Sequence, residues 1–332
     1  SCPCHGPGGA LLRDRQRWWI AMRDDALAPV IAVMLILAAI VTFLSIWNAV
    51  YVPAMKQSGE VGHLQNVESA FQHFSADIDY AVSSHQDHIS FSEPVQLGGG
   101  DIMVNLLKSS GTLSVQDENI PIYTLNLTDG TGTPVALVNG TMVNFSYEPT
   151  NNFWQDQGYR WQDGYINVTK YGILSTPLGY YTMTDVENNF NTSGSPLMTF
   201  AESFGSVNYI INQSSGGNCS SLDLWATNIS SSPDRTFVSS NGFGTLRLTS
   251  ALNATSFADI ADISYGSDNS LFSNGILDSW NASFGEIQAA CPDNIVYDPV
   301  DSNGNYRQWH ILQTVSPVTV NLHTVKVEIG VY

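Results

Sequence analysis

The longest run of hydrophobic residues in this chain covers residues 24–55. No charged residue lies between Asp25 and Lys56. As a helix that rises 1.5 Å per residue, a run of about 30 residues would be about 45 Å long. About 20 apolar residues are enough to cross the hydrocarbon core of a bilayer. The run therefore predicts a membrane-spanning helix.

A second helical pattern follows directly. Apolar residues recur three or four positions apart at Val61, Leu64, Val67, Phe71, Phe74, Ile78 and Val82. This spacing places them on one face of an amphipathic helix. The sequence thus predicts one helix over 24–85, hydrophobic over 26–55 and amphipathic over 56–84. We expect a bend at Pro53, where a backbone hydrogen bond is lost.

From residue 86 to the C-terminus, the apolar residues alternate with a period of two. Examples are Ile102, Val104 and Leu106, then Tyr123, Leu125 and Leu127, with further candidate strands at 207–211, 245–252, 308–315 and 318–332. Many short strands separated by Ser-, Gly- and Asn-rich turns are typical of a β-sandwich or of two stacked β modules. We therefore predict an α+β fold: a long N-terminal helix followed by a β-rich, sandwich-like domain over 86–332.

Three positions give more detailed expectations. Asn139-Gly140 and Asp163-Gly164 each lie between two candidate strands, and these dipeptides favour tight β-hairpins. In 318–332 the alternation changes parity near His323, which predicts a β-bulge.

The charges are unevenly distributed around the hydrophobic run. The chain has a net charge of −18, yet Arg13, Arg15, Arg17 and Arg23 precede the run with Asp14 as the only acid. Basic residues before a first membrane segment hold its N-terminus in the cytoplasm. The remainder has eight basic against 29 acidic residues. Nucleic-acid binding depends on Lys and Arg that neutralise phosphates, so this composition argues against it.

Two further features indicate that the C-terminal body lies outside the cytoplasm. After the hydrophobic run, the chain has only Cys219 and Cys291, and an isolated pair in an exported domain favours a disulfide. Asn-x-Ser/Thr sequons, which are acceptors for N-glycosylation in exported proteins, occur at Asn126, Asn139, Asn144, Asn167, Asn191, Asn212, Asn218, Asn228, Asn253 and Asn281.

The segment Arg-Asp-Asp-Ala-Leu-Ala-Pro-Val-Ile-Ala-Val-Met-Leu at residues 23–35 resembles the start of archaeal type IV pilins. In that family, a short basic leader and a small acidic or polar patch precede an apolar helix that begins Ser-Pro-Val-Ile-Gly. Pro29, Val30 and Ile31 match this pattern, while Ala28 and Ala32 replace the usual Ser and Gly. The resemblance covers the helix only.

The resemblance implies a structural subunit of a cell-surface filament. Residues 1–23 would be a leader that a prepilin peptidase removes between Arg23 and Asp24. The precursor would stay in the membrane until an assembly ATPase and platform protein extract it. The subunits would then form a helical homopolymer through their N-terminal helices, for adhesion or surface attachment. An alternative with the same topology is a single-pass surface protein that never polymerises.

The remaining clusters favour ordinary explanations. Asp298, Asp301, Asn303 and Asn305 lack EF-hand spacing, so a polar turn is favoured over a calcium site. Neither a nucleophile motif nor a Walker or dinucleotide-binding motif is present. We therefore predict no enzymatic activity, no catalytic residue, no metal and no cofactor, and keep a membrane-tethered hydrolase only as a third alternative.

Two further groups, one of histidines and one of aromatic residues, also favour ordinary explanations. His85 and His88 flank Asp87 at the predicted helix end, where histidines usually face solvent. The aromatic set Phe153, Trp154, Tyr159, Trp161 and Tyr165 suggests a sugar-binding face, but alternating aromatics across a hairpin are more often packing.

Overall fold

The computed structural model describes residues 11–99, 109–150, 156–171, 173–212, 218–267, 273–298, 306–312 and 317–332. The predicted strand at Ile102–Leu106 lies outside these ranges. The chain divides into two compact units, one ending at Gln57 and the other beginning at Ser58.

The N-terminal unit is helical. Helix α1 covers Leu11–Ile46, a π-helical turn covers Trp47–Tyr51, and helix α2 covers Val52–Ser84, so that α2 belongs to the second unit from Ser58 onward. The long apolar helix is thus confirmed, although it begins at Leu11, ahead of the start at residue 24 that the pattern predicts.

The π-helical turn lies where the sequence predicts a disturbance at Pro53. The Val52 N–H donates to the Trp47 carbonyl, five residues earlier. A proline ring clashes with the carbonyl four residues before it and has no N–H of its own. A single turn with i→i+5 hydrogen bonds, which occurs mostly as a short insertion in α-helices, adjusts the backbone there and lets the helix continue past Pro53.

The second unit is β-rich, and its described strands form three sheets. The first contains β1 (Ser90–Gln96), β12 (Phe243–Phe257), β16 (Thr319–Val331), β10 (Asn218–Ser231) and β9 (Gly205–Asn212), in that spatial order. The second contains β11 (Phe237–Ser240), β2 (Ser110–Asp117), β5 (Val143–Thr150), β6 (Gln157–Gln162), β7 (Tyr165–Lys170) and β8 (Ile173–Pro177). The third contains β14 (Ile295–Asp298), β15 (Tyr306–Ile311), β13 (Ile260–Gly266), β3 (Tyr123–Asp129) and β4 (Pro134–Gly140).

These sheets confirm the α+β layout, but "sandwich" describes them only approximately. The strand pairs are antiparallel except β10 and β16, which are parallel. Three helices that the sequence pattern missed also belong to this unit: α3 (Met183–Phe190), α4 (Pro196–Glu202) and α5 (Ser273–Ala290).

The amphipathic part of α2 packs on the second sheet. All seven stripe residues except Val61 are buried. The rings of Phe71 and Phe74 lie 5.1 and 5.4 Å from that of Phe145 on β5. The Trp161 indole on β6 donates to the Ser75 hydroxyl over 2.9 Å. A helical stripe of apolar residues thus supplies one side of the core, as the pattern predicts.

Helix α5 covers the third sheet through stacked aromatic rings. Trp280 stacks on Tyr265 at 3.8 Å between centroids, and Phe284 stacks on Trp309 at 4.1 Å. Gly205 at the start of β9 allows this arrangement, because a Cβ there would overlap the Trp280 ring. Such close packing excludes water from this part of the core.

The two hairpin predictions had opposite outcomes. Strands β6 and β7 pair across Asp163-Gly164, whose φ angles of 52° and 86° suit a two-residue hairpin turn. The hairpin at Asn139-Gly140 is wrong, because β4 pairs with β3 whereas β5 pairs with β2 and β6. Gly140 serves another purpose, since a Cβ there would overlap the Tyr123 ring.

The predicted bulge near His323 is also wrong. Strand β16 keeps one continuous register with β10 and with β12. Its parity changes because Val320 and Leu322 are buried on one face of the strand, whereas Val325, Val327 and Ile329 are buried on the other. A long strand that buries one face at its start and the other face at its end therefore has the same change of alternation in its sequence as a strand with a bulge.

Candidate functional site

The exposed surface of the N-terminal helix is the main candidate site. Every side chain from residue 29 to residue 51 is exposed. Its most apolar 18-residue window has a mean hydropathy of 2.8 and is not buried at all. Large side chains such as Val33, Leu35 and Phe43 are each about two-thirds exposed. Soluble proteins rarely leave so continuous an apolar surface in water, so the helix suits insertion into a membrane.

Two of the polar side chains in this helix are satisfied by its own backbone. The Thr42 hydroxyl donates to the Ala38 carbonyl over 2.7 Å, and the Ser45 hydroxyl donates to the Val41 carbonyl over 2.8 Å. In lipid, an unpaired hydroxyl would cost several kcal/mol. These bonds let both residues face an apolar environment without a partner outside the helix.

A row of aromatic rings marks the end of the apolar segment. Phe43, Trp47 and Tyr51 lie four residues apart, with ring centroids 6.1 and 5.3 Å from each other. At 1.5 Å per residue, Pro29 and Trp47 are about 27 Å apart along the helix, close to the hydrocarbon thickness of about 30 Å. Trp and Tyr are enriched at membrane interfaces, so Trp47 and Tyr51 are placed to lie at one boundary of a bilayer.

The structure places the predicted cleavage position inside a helix. Arg23 and Asp24 belong to α1, but their side chains lie outside the described residues. Leader cleavage between them stays a prediction.

The sequon asparagines differ widely in exposure. Asn139, Asn191 and Asn253 are exposed, Asn126, Asn144, Asn228 and Asn281 are partly exposed, Asn167 and Asn218 are buried, and the side chain of Asn212 lies outside the described residues. A glycan on a folded chain needs an accessible amide nitrogen. If sequons are used, the three exposed asparagines fit glycans best, whereas Asn167, only 2% exposed, would have to be modified before folding.

The two body cysteines are bonded to each other. The Cys219–Cys291 disulfide joins β10 to the residue that follows α5, with the Cα atoms 5.5 Å apart. Both cysteines are fully buried. The backbone N–H of Cys219 also donates to the Asn294 side chain over 3.0 Å. The bond therefore ties helix α5 to the first sheet.

In the aromatic set, the residues that the structure describes belong to the packed core. Tyr159, Trp161 and Tyr165 are buried, as the packing interpretation predicts; Phe153 and Trp154 lie outside the described residues. So do Asp301, Asn303 and Asn305, together with the side chain of Asp298.

The helix-end histidines behave differently from each other. His88 is exposed and pairs with Asp87 at 3.2 Å, as expected for a solvent-facing position. His85 instead stacks on Trp225 at 4.6 Å, and burial lowers its pKa. His323 lies on the other side, 4.2 Å from Trp225. This stack attaches the end of α2 to the first sheet.

A buried carboxyl, Asp163, near the partly exposed Glu118 was not foreseen from the sequence. Asp163, in the β6–β7 turn, is only 5% exposed, and its Oδ1 has no hydrogen-bond partner within the described ranges. Burial, and to a smaller degree the charge of Glu118, raises the pKa of Asp163 to about 7. Burial also raises the pKa of Glu118. The folded chain therefore favours protonated carboxyls here.

The raised pKa of Asp163 predicts that Asp163→Asn will change the stability of the fold in a pH-dependent way. The pKa of Asp163 is higher in the folded chain than its ordinary value of 3.8, so its ionisation destabilises the fold increasingly as pH rises from about 4 through about 7. We expect Asp163→Asn to raise the free energy of unfolding by about 2 kcal/mol at pH 8 and to change it little at pH 4. Asparagine also tolerates the positive φ of this turn.

Urea unfolding of the chain in detergent at both pH values measures this difference. Asp156→Asn is the matched control, because Asp156 is an exposed acid next to the same strand. A stabilisation of equal size at pH 4 and pH 8 would contradict the assignment to Asp163 ionisation.

A groove beside α2 was also missed. It has a volume of about 310 Å³. Its lining residues include Gln72, Ser75 and Asp79 from α2, Tyr165 from β7, Tyr180, and Phe200 from α4. We call it the Asp79 groove. Its residues come from four separate stretches of sequence, so no local pattern indicates it.

The general plan of the molecule, a long apolar N-terminal helix followed by a β-rich domain, is pilin-like. Comparison of the chain with known protein families, with curated proteins and with solved structures found no match.

Proposed function

We propose that this protein is a structural subunit of an extracellular filament of the archaeal type IV pilus kind, assembled through its N-terminal helix. The observation that carries the proposal is the uninterrupted exposure of residues 29–51, an apolar helical surface with no covering partner among the described residues. The resemblance of residues 23–35 to the start of archaeal type IV pilins supports it.

The physical basis is that this helix needs two apolar environments in succession. In the precursor, the hydrocarbon of the membrane covers it. After extraction, identical helices would be the available apolar surface. At about 25 cal/mol per Å² of apolar area, such burial contributes tens of kcal/mol per subunit before the entropy of association is subtracted. A head-to-tail contact of this kind does not close, so it produces filaments.

The main alternative is a single-pass membrane protein that never polymerises. It would use the same helix and the same aromatic boundary at Trp47 and Tyr51. The two functions differ in what surrounds the helix in the mature protein, which is lipid in one case and other copies of the chain in the other.

Shearing the surface of cells that produce the protein distinguishes them. We expect the released filaments to contain this chain as their dominant protein, with an N-terminus at Asp24 by N-terminal sequencing. Recovery of the chain only in the membrane fraction, with residues 1–23 still attached, would favour the non-polymerising alternative.

A further inference from the structure

The Asp79 groove combines one carboxyl group with aromatic walls. Asp79 is the only Asp, Glu, Lys, Arg or His among the groove-lining residues within the described part of the chain. Tyr180 supplies a partly exposed ring, Tyr165 and Phe200 supply rings that are only 3% and 6% exposed, and Gln72 and Ser75 supply polar groups at the α2 side. The volume of about 310 Å³ is at the lower end of the range for small-molecule sites.

The carboxyl of Asp79 lies at a place that favours a cation. It lines the groove and its residue is exposed, yet the surrounding atoms remove part of its hydration. The chain from residue 24 onward has 29 acidic and eight basic residues, so the surface potential of the body attracts cations. Aromatic faces bind ammonium groups through their quadrupoles.

We propose that the Asp79 groove is a binding site for a small organic cation, an alkylammonium group whose charge pairs with Asp79 and whose carbon atoms contact the aromatic walls. A neutral sugar would use the rings and the polar groups but would gain little from the carboxylate charge. A metal ion would need several more oxygen ligands than this single carboxylate provides. The alkylammonium ion uses both parts of the groove.

The site has a pH dependence of known sign. Desolvation raises the pKa of Asp79 to about 6, and the bound cation requires the ionised carboxylate. The other titratable groups of the lining, Tyr165 and Tyr180, have pKa values raised by burial and stay neutral. Burial also raises the pKa of Asp77, on the same helix, and the charge of His73 partly opposes this shift. Affinity should therefore fall about tenfold between pH 8 and pH 5, as Asp79 becomes protonated.

Calorimetric titration of the full chain in nonionic detergent with n-butylammonium chloride, at constant ionic strength, tests the proposal. We expect saturable millimolar or tighter binding, weakened about tenfold by Asp79→Asn and severalfold by Tyr180→Ala. Asp77→Asn is the matched control, because Asp77 lies two residues away on α2 and does not line the groove; it should leave the affinity unchanged within about twofold.

Three results would overturn the proposal: no binding of n-butylammonium, equal binding by the wild type and Asp79→Asn, or tighter binding of a neutral hexose than of the cation. The expected pH profile must also disappear in Asp79→Asn. Because the titration uses unassembled chains, its outcome is independent of whether filaments form, so each proposal can fail without the other.

Discussion

Leu37→Arg should abolish the proposed filament assembly while leaving the chain in the membrane. Leu37 lies near the middle of the apolar helix and is 60% exposed. Between residues 29 and 46 the helix has 11 Val, Leu, Ile or Phe residues, which together favour insertion by about 5 kcal/mol. One central arginine opposes insertion by about 3 kcal/mol, and its long side chain reaches toward the interface. Insertion is weakened but still favourable.

Helix–helix assembly would be more sensitive than membrane insertion to a charge at position 37. In a bundle of identical helices, every copy would bring an arginine into contact with apolar neighbours, and each unpaired buried charge costs several kcal/mol. That penalty would repeat along the proposed filament, whereas a single helix in lipid would experience it once. We therefore expect membrane fractions to retain the variant and sheared fractions to contain no filaments of it by electron microscopy.

The matched control is Leu37→Ile, which preserves volume and apolarity and should assemble as the wild type does. Filaments of Leu37→Arg at the wild-type level would show that this face of the helix is not buried between subunits. Loss of the variant from both fractions would place its defect in insertion, and the proposed role of the helix in assembly would then lack support.

The parts of the structure that could be predicted from sequence depend on local interactions. The apolar run and the stripe that ends at Val82 were predictable because both are patterns of residues that lie close together in the sequence. Such patterns can be recognised without knowing which distant residues they contact. The turn at Asp163-Gly164 was predictable for the same reason, because its two positive φ angles are a local requirement.

The errors arise where a distant residue determines the local structure. Asn139-Gly140 is a dipeptide typical of hairpin turns. However, the Tyr123 ring occupies the space beside Gly140, and β4 pairs with β3. The hairpin before β4 uses a different turn, in which Asp129 accepts hydrogen bonds from the backbone N–H groups of Thr131 and Thr133. A turn dipeptide alone does not indicate which sheet each of its two flanking strands joins.

Helix α5 and the Asp79 groove illustrate two further limits of prediction from the sequence. The buried residues Ile276, Trp280, Phe284 and Ile287 follow a helical spacing that was available in the sequence, but the Ser- and Asn-rich surroundings resemble the turns elsewhere in the body. The groove has no such signal, because α2, β7, the loop after β8 and α4 come together only through the tertiary fold.

Opening the Cys219–Cys291 disulfide should lower the free energy of unfolding by about 4 kcal/mol, according to the chain-entropy account of a crosslink. The bonded residues are separated by 72 positions, so the crosslink removes many conformations from the unfolded chain. The enclosed segment includes most of β10 together with β12, β13 and α5. Chemical unfolding of Cys219→Ala/Cys291→Ala, followed by circular dichroism, measures the effect.

Reduced wild-type protein separates the two contributions to that loss. Both cysteines are fully buried, so the double alanine variant also leaves a small cavity, which has a cost of its own. The reduced wild type keeps both sulfur atoms and lacks only the bond. We expect it to be less stable than the oxidised protein by nearly the full amount, with the alanine variant slightly less stable again. Equal stability of the oxidised and reduced wild type would mean that the crosslink adds nothing, and that α5 is held to the first sheet by packing and by the hydrogen bond between Cys219 and Asn294 alone.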